Sequence, residues 1–275
     1  MSRNFELLQN IGKEEEYFQP ERLLTEPAPE SVPVPASDLS YESSAAAAPS
    51  QAPTQVSSAE PLQFSMEGSQ LAELAKLVQR VFLLPGGEYN HTVVFTSSDA
   101  GNGCSWICAR VGELLASQVT GTVCLVDANL QSPTLHEQFA VPNHHGLSDA
   151  LRQSGSIRGY VSQLSRRNLA LVSCGSESKD AQSMVTSDRM RMRLSELRSE
   201  FDYVLIDCPS MSVSNEAVSL GSAADGVVLV LKANSTRKDR ARNAVRDLQA
   251  AKVKVLGAVL NQRTFPIPDK LYNKL

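Results

Sequence analysis

Aromatic residues are scarce in this chain, 5% of 275 with a single tryptophan, which argues against an aromatic-rich all-β fold. No run of 18 apolar residues occurs, so no membrane-spanning helix is expected. The opening stretch MSRNFELLQN lacks the apolar core of a secretory leader, and a cytoplasmic protein is expected. Cysteines are few and odd in number: Cys104, Cys108, Cys124, Cys174 and Cys208, four of them in or beside apolar runs. That pattern favours reduced thiols over a disulfide frame. Neither half of the chain looks like a nucleic-acid binder, which needs a concentrated basic face. The 26 basic and 30 acidic residues are instead divided unevenly. Residues 1–65 hold three bases against ten acids, a net of −7, and the rest carries +3.

Eight of the 14 prolines fall between Pro20 and Pro61, mixed with Ser, Ala and Glu. Such a segment cannot bury enough apolar surface to offset its ordering entropy, so residues 19–66 are predicted to be a disordered linker. Before it, Phe5, Leu8 and Ile11 recur every three residues. That spacing predicts a short amphipathic helix within residues 1–18, suited to docking on a flexible leash. Order is expected to resume near Leu71 in a domain spanning 67–275. Leu71, Leu74, Leu77, Val78, Val81 and Phe82 keep helical spacing. Six apolar runs follow: Thr92–Thr96, Thr122–Val126, Leu169–Ser173, Tyr203–Ile206, Gly226–Leu231 and Val255–Leu260. They alternate with helix-like stretches at Ser105–Ser117, Gly146–Arg152, Ser183–Arg198, Asn215–Leu220 and Lys238–Ala251. Apolar strands alternating with helices predict an α/β fold, a doubly wound parallel sheet covered on both faces.

The first run leads into Ser97-Ser98-Asp99-Ala100-Gly101-Asn102-Gly103-Cys104-Ser105, with a helix from Trp106 onward. Strand, glycine-bearing loop and helix form the arrangement of a phosphate-binding loop, where backbone N–H groups and the helix N-terminus attract anions. The pattern G-x-x-x-x-G-K-[ST] is met at Gly103 and Ser105; Ser98 replaces its first glycine and Cys104 its lysine. Lysine would place a full charge on the terminal phosphates. A thiol cannot, and losing a hydrogen bond to a charged group costs about 1.5–3 kcal/mol. A thiol at a helix N-terminus can also be a nucleophile, but no partner for Cys104 is identifiable, and a lysine lost where catalysis no longer matters is the preferred reading.

The second and fourth runs end in Asp127 and Asp207. An aspartate just past an apolar strand, at the carboxyl edge of a sheet, is where such a fold holds Mg²⁺ or its water. His144-His145 and the pair Cys104, Cys108 lack further ligands at metal-site spacing. The run Arg189, Arg191, Arg193 and Arg198 reads as a solvated face able to meet an acidic partner.

Together with the segments Gly146–Leu151, Phe201–Asp207, Ala224–Val230 and Val255–Asn261, these motifs resemble the cytoplasmic bacterial tyrosine kinases of capsule and exopolysaccharide assembly. Those kinases are deviant P-loop ATPases, grouped with septum-site and plasmid-partition proteins. The resemblance runs from Leu71 to Leu275 and implies ATP or ADP with Mg²⁺ as ligands. It implies nucleotide binding through Gly101, Asn102, Gly103, Cys104, Ser105, Trp106, Asp127, Asp207 and the adenine-facing Asn261, and metal binding through Ser105, Asp127 and Asp207. The family's second-strand motif, aspartate-x-aspartate-leucine-arginine, here reads Asp127-Ala128-Asn129-Leu130-Gln131, without its second acid and arginine. Only Tyr272 stands where many members carry a tyrosine cluster, and a self-association motif survives partly as Glu73, Lys76 and Gln79. The lost groups would all serve phosphoryl transfer, which this fold performs by positioning and charge stabilisation. The implied function is therefore a pseudokinase-like regulator or scaffold in polysaccharide export, at the inner face of the membrane. Its implied partners are a membrane-embedded chain-length regulator and further copies of itself. The alternatives are an active kinase or ATPase using a relocated cation such as Lys232 or Lys179, and a membrane-surface positioning ATPase. The last usually needs a C-terminal amphipathic helix, which Pro266–Leu275 does not display.

Overall fold

The structure, a computed structural model, describes residues 68–84, 90–176 and 181–262. The expected N-terminal helix and linker, together with Lys179, Pro266–Leu275 and Tyr272, lie outside the described residues. The described part opens with α1 (Gly68–Phe82), then β1 (Thr92–Ser97), α2 (Cys104–Gln118), β2 (Val123–Asp127) and a one-turn α3 (Leu135–Gln138). Next come α4 (Leu147–Arg152), a 3₁₀ turn at Ile157–Tyr160, β3 (Ser162–Gln163), β4 (Leu169–Val172), α5 (Ala181–Val185) and α6 (Asp188–Glu200). The chain continues through β5 (Tyr203–Asp207), α7 (Glu216–Ser222), β6 (Gly226–Lys232), α8 (Lys238–Ala250) and β7 (Val255–Asn261).

The seven strands lie in the order β3-β4-β2-β5-β1-β6-β7, all parallel except the β3–β4 pair. The doubly wound sheet expected from the alternation is thus present. Successive side chains point to opposite sides, and in the central strands β1, β2, β4 and β5 nearly all of them are buried, on both faces of the sheet. Val94, Val126, Val204 and Ile206 pack with α4, α6 and α7 on one face. Val93, Phe95, Leu125 and Leu205 pack with α1 and α2 on the other. Full burial of such a side chain contributes about 1.5–3 kcal/mol, so the two layers fix the register that positions the site.

Two expectations change. The stretch Ser183–Arg198 is not one helix. It breaks at Thr186-Ser187, where the Ser187 hydroxyl accepts from the Met190 N–H and caps α6. The arginine run is a solvated face only in part: Arg189, Arg191 and Arg198 are exposed but partnered, and Arg193 is buried. Arg189 donates to the carbonyls of Leu151 and Arg152 at the end of α4. Buried Arg193 donates to Ala150, Gln153 and Gly155 and pairs with Glu196. Arg191 and Arg198 pair with Asp188 and Asp225.

Candidate functional site

Strand order reverses at β1: the chain first lays β2 and β4 on one side, then returns to place β6 and β7 on the other. Loops diverge at such a point and leave a crevice at the carboxyl edge. The loop after β1 lies there. Gly101 and Gly103 both adopt left-handed backbone, with φ of 78° and 80°. A Cβ on Gly103 would also stand 2.4 Å from the side-chain nitrogen of Asn261. No side chain caps α2. Its first N–H groups have no acceptor within the helix and are open to an anion.

The loop is anchored from beneath. The side-chain nitrogen of buried Asn102 lies 3.2 Å from the Ser98 hydroxyl and 3.3 Å from both the Val230 carbonyl and the Thr236 hydroxyl. Asn102 can therefore meet a ligand only through its backbone. The Asn261 amide donates to the Asn102 carbonyl at 2.9 Å, and its oxygen accepts from the Gln262 N–H. Asn261 thus braces the loop in this conformation. Trp106 packs half-buried onto the core beneath α2.

Asp127 and Asp207 are direct partners at the carboxyl ends of β2 and β5, with Phe95 of β1 beside Asp207. Both are fully buried, but their surroundings differ. Asp127 accepts from the N–H groups of Asn129, Thr134 and Leu135 and so holds the start of α3. Neither oxygen of Asp207 meets a donor in good hydrogen-bond geometry; the Ser105 hydroxyl and Cys104 thiol are turned toward it. Burial pushes Asp207 up to about 8, with Asp127 adding to the rise and Ser105 and Cys104 opposing it. Burial also pushes Asp127 up, to about 7, against its backbone donors. Two adjacent buried carboxyls cannot both ionise cheaply, so the pair holds a proton near neutrality.

Cys104 retains some solvent contact, yet burial raises its thiol well above the usual range, and Asp207, Cys108 and Cys208 raise it further. It is a neutral thiol facing a carboxyl, which removes the case for a nucleophile. Cys108 and Cys208 are raised in the same way, first by burial. Glu216, at the start of α7, is nearly inaccessible, leaves Oε2 without a partner and is pushed by burial to about 7.

Ser105 and Asp207 stand together beside the loop, a hydroxyl and a carboxyl that would hold Mg²⁺ against a bound phosphate, while Asp127 is engaged by the start of α3. Among the described residues no cluster of three His, Cys, Asp or Glu side chains could hold a metal. Lys232 ends β6, and its backbone N–H donates to Thr236. His144 and His145 are exposed.

Sequence reasoning missed two residues at this edge. Asp99, inside the loop, forms an ion pair with Arg240 of α8. The signal was available: an acid in a phosphate-binding loop calls for a nearby base. Sequence spacing gave no hint of which base, because the partners are 141 positions apart.

A family model described as cellulose biosynthesis protein BcsQ matches residues 91–251, which include β1, the loop and both aspartates. The chain belongs to the BcsQ family. This BcsQ-family chain is also 31% identical over 170 residues to the tyrosine-protein kinase YwqD of Bacillus subtilis (strain 168), covering 62% of this chain and 71% of that one. Among solved structures it resembles the chimerical protein CapA2B2, with a TM-score of 0.66 and 23% identity over 70% of this chain and 85% of that one. It also shares its fold with the septum-site-determining protein MinD of Pyrococcus horikoshii OT3, solved with Mg-ADP. There the TM-score is 0.54 at 19% identity, covering 67% of this chain and 76% of that one. The expected kinship with bacterial tyrosine kinases and P-loop ATPases therefore holds for the BcsQ-family domain. No described helix is long and apolar enough to cross a membrane.

Proposed function

We propose that this chain is a pseudokinase-like regulator or scaffold of exopolysaccharide biosynthesis and export. Its phosphate-binding loop keeps the shape of a nucleotide site without the charges of a catalytic one. One observation carries the reading: where a phosphate-binding lysine would stand, a neutral thiol faces the buried Asp207. Phosphoryl transfer in this fold depends on positioned charge. Here the lysine position is the uncharged Cys104, the second acid and the arginine of the second-strand motif are Asn129 and Gln131, and Asp127 is engaged by the start of α3. The family's description as a cellulose biosynthesis protein supports the polysaccharide setting, and the resemblance to bacterial tyrosine kinases implies a place at the cytoplasmic face of the membrane and a membrane-embedded chain-length regulator as partner.

The test is equilibrium binding of ATP and ADP with and without Mg²⁺, followed by hydrolysis and phosphotyrosine assays on the same sample. Weak binding, little changed by Mg²⁺ and without turnover, is the expected result. Tight, Mg²⁺-dependent binding with turnover would establish an active kinase or ATPase instead.

A further inference from the structure

We propose that Arg240 is the phosphate-facing cation of this loop, held in reserve by Asp99, and that their ion pair is a latch which a polyphosphate ligand opens. The inference rests on reading Gly101–Ser105 as a phosphate cradle. Asp99 is the one acid between Ser97 and Ser105. An uncompensated carboxylate there would repel the ligand the loop is shaped to receive.

Arg240 supplies the compensation. Its Nη1 pairs with Oδ1 of Asp99, while Oδ2 of Asp99 accepts from the Ser98 hydroxyl at 3.1 Å. The acid is therefore pinned at the base of the loop, and the guanidinium is brought to it. The start of α8 is tied to the same loop, because Thr236, two residues before α8, meets the Asn102 side chain and accepts from the Lys232 N–H. The helix that carries Arg240 is thus fixed relative to the phosphate cradle.

The chemistry suits an exchange. The Arg240 side chain is 59% exposed, against 23% for Asp99, so an arriving anion reaches the guanidinium first. A guanidinium binds phosphate and carboxylate with the same planar fork of donors. A polyphosphate on the open N–H groups of α2 can take Arg240 from Asp99, at the cost of leaving Asp99 to water. Affinity is then low while Asp99 competes, and rises if it cannot.

The test titrates ATP and, separately, inorganic tripolyphosphate into the full chain at low and high salt. The variants are Arg240→Ala, Arg240→Lys, Asp99→Asn and, as a control for general charge loss, Arg246→Ala at the exposed far end of α8. Arg240→Ala should weaken both ligands by about tenfold, Arg240→Lys by less, and Asp99→Asn should strengthen both by about threefold to tenfold. All three effects should shrink in high salt. Arg246→Ala should change little. Melting temperatures should stay close to wild type, since Arg240 is largely exposed and the amide of Asp99→Asn keeps the shape of the carboxylate. If ligands bind but Arg240→Ala matches Arg246→Ala, or Asp99→Asn has no effect, the latch is wrong and the cradle stands. If Arg240→Ala tightens binding, the arginine is a plug and the proposal fails. If neither wild type nor Asp99→Asn binds either ligand, the cradle reading fails and takes the latch with it.

Discussion

At the amino edge of the sheet, two aspartates are bound by donors on every side. Asp202 accepts from the N–H and hydroxyl of Thr122, which hold its carboxyl below the usual range. Asp225 accepts from the N–H groups of His91 and Thr92 at 2.7 Å and pairs with Arg198. At the carboxyl edge, Asp207 and Glu216 are buried with oxygens that no donor meets, and both are pushed upward by burial. β5 thus begins beside a satisfied carboxylate, Asp202, and ends in a frustrated one, Asp207. Satisfied acids stitch the sheet together. Frustrated acids cost stability, and a fold retains such groups where something other than stability shaped them.

The largest effect should come from breaking the amino edge. Asp225→Ala strands two backbone N–H groups and Arg198, and should cost about 3 kcal/mol in urea unfolding. Cys104→Lys should make the carboxyl edge resemble the amino edge by placing a cation beside Asp207. ATP binding should then tighten by about 2 kcal/mol in titration calorimetry, with little gain in turnover, because Asn129 and Gln131 remain.

Asp207→Asn should do what no substitution at Asp225 can, and stabilise the fold. Its folded pKa lies above its unfolded one, so the folded state holds a proton the unfolded state has released. Stability therefore falls as pH rises from the ordinary carboxylate range toward about 8. The variant should be more stable than wild type by roughly 1–2 kcal/mol at the upper end of that window, and no more stable at its lower end. Thermal melts across the window would show a flatter profile for the variant. The smallest effect is away from both edges: Ser187→Ala should cost about 1 kcal/mol by removing the cap of α6.

Most of this architecture was legible in the residues. Val93–Phe95, Leu125–Val126 and Val204–Ile206 announced central strands, because a strand buried on both faces must be continuously apolar. The glycines of the loop and the two strand-end aspartates pointed to the edge of the sheet where the structure brings them together, each tied to a local backbone demand. What stayed hidden depended on tertiary partners. Ser162–Gln163 is too short to show periodicity and is a strand only because β4 lies beside it. Arg193 looked solvated because its acceptors are carbonyls at and after the end of α4, which spacing along its own helix does not reveal. The Asp99–Arg240 pair joins segments that the sequence keeps far apart. Asp127 appeared equivalent to Asp207, and only the hydrogen bonds from Asn129, Thr134 and Leu135 set them apart.

Carbon-13 NMR titration of the aspartate carboxyls in the full chain compares the two edges in one sample. Asp202 should titrate below the ordinary carboxylate range and Asp207 near 8, so that Asp207 keeps its proton beside the Cys104 thiol at neutral pH. An Asp207 carboxyl that ionises in the ordinary range, with no higher midpoint than Asp202, would contradict a phosphate-binding cleft stripped of its catalytic charges.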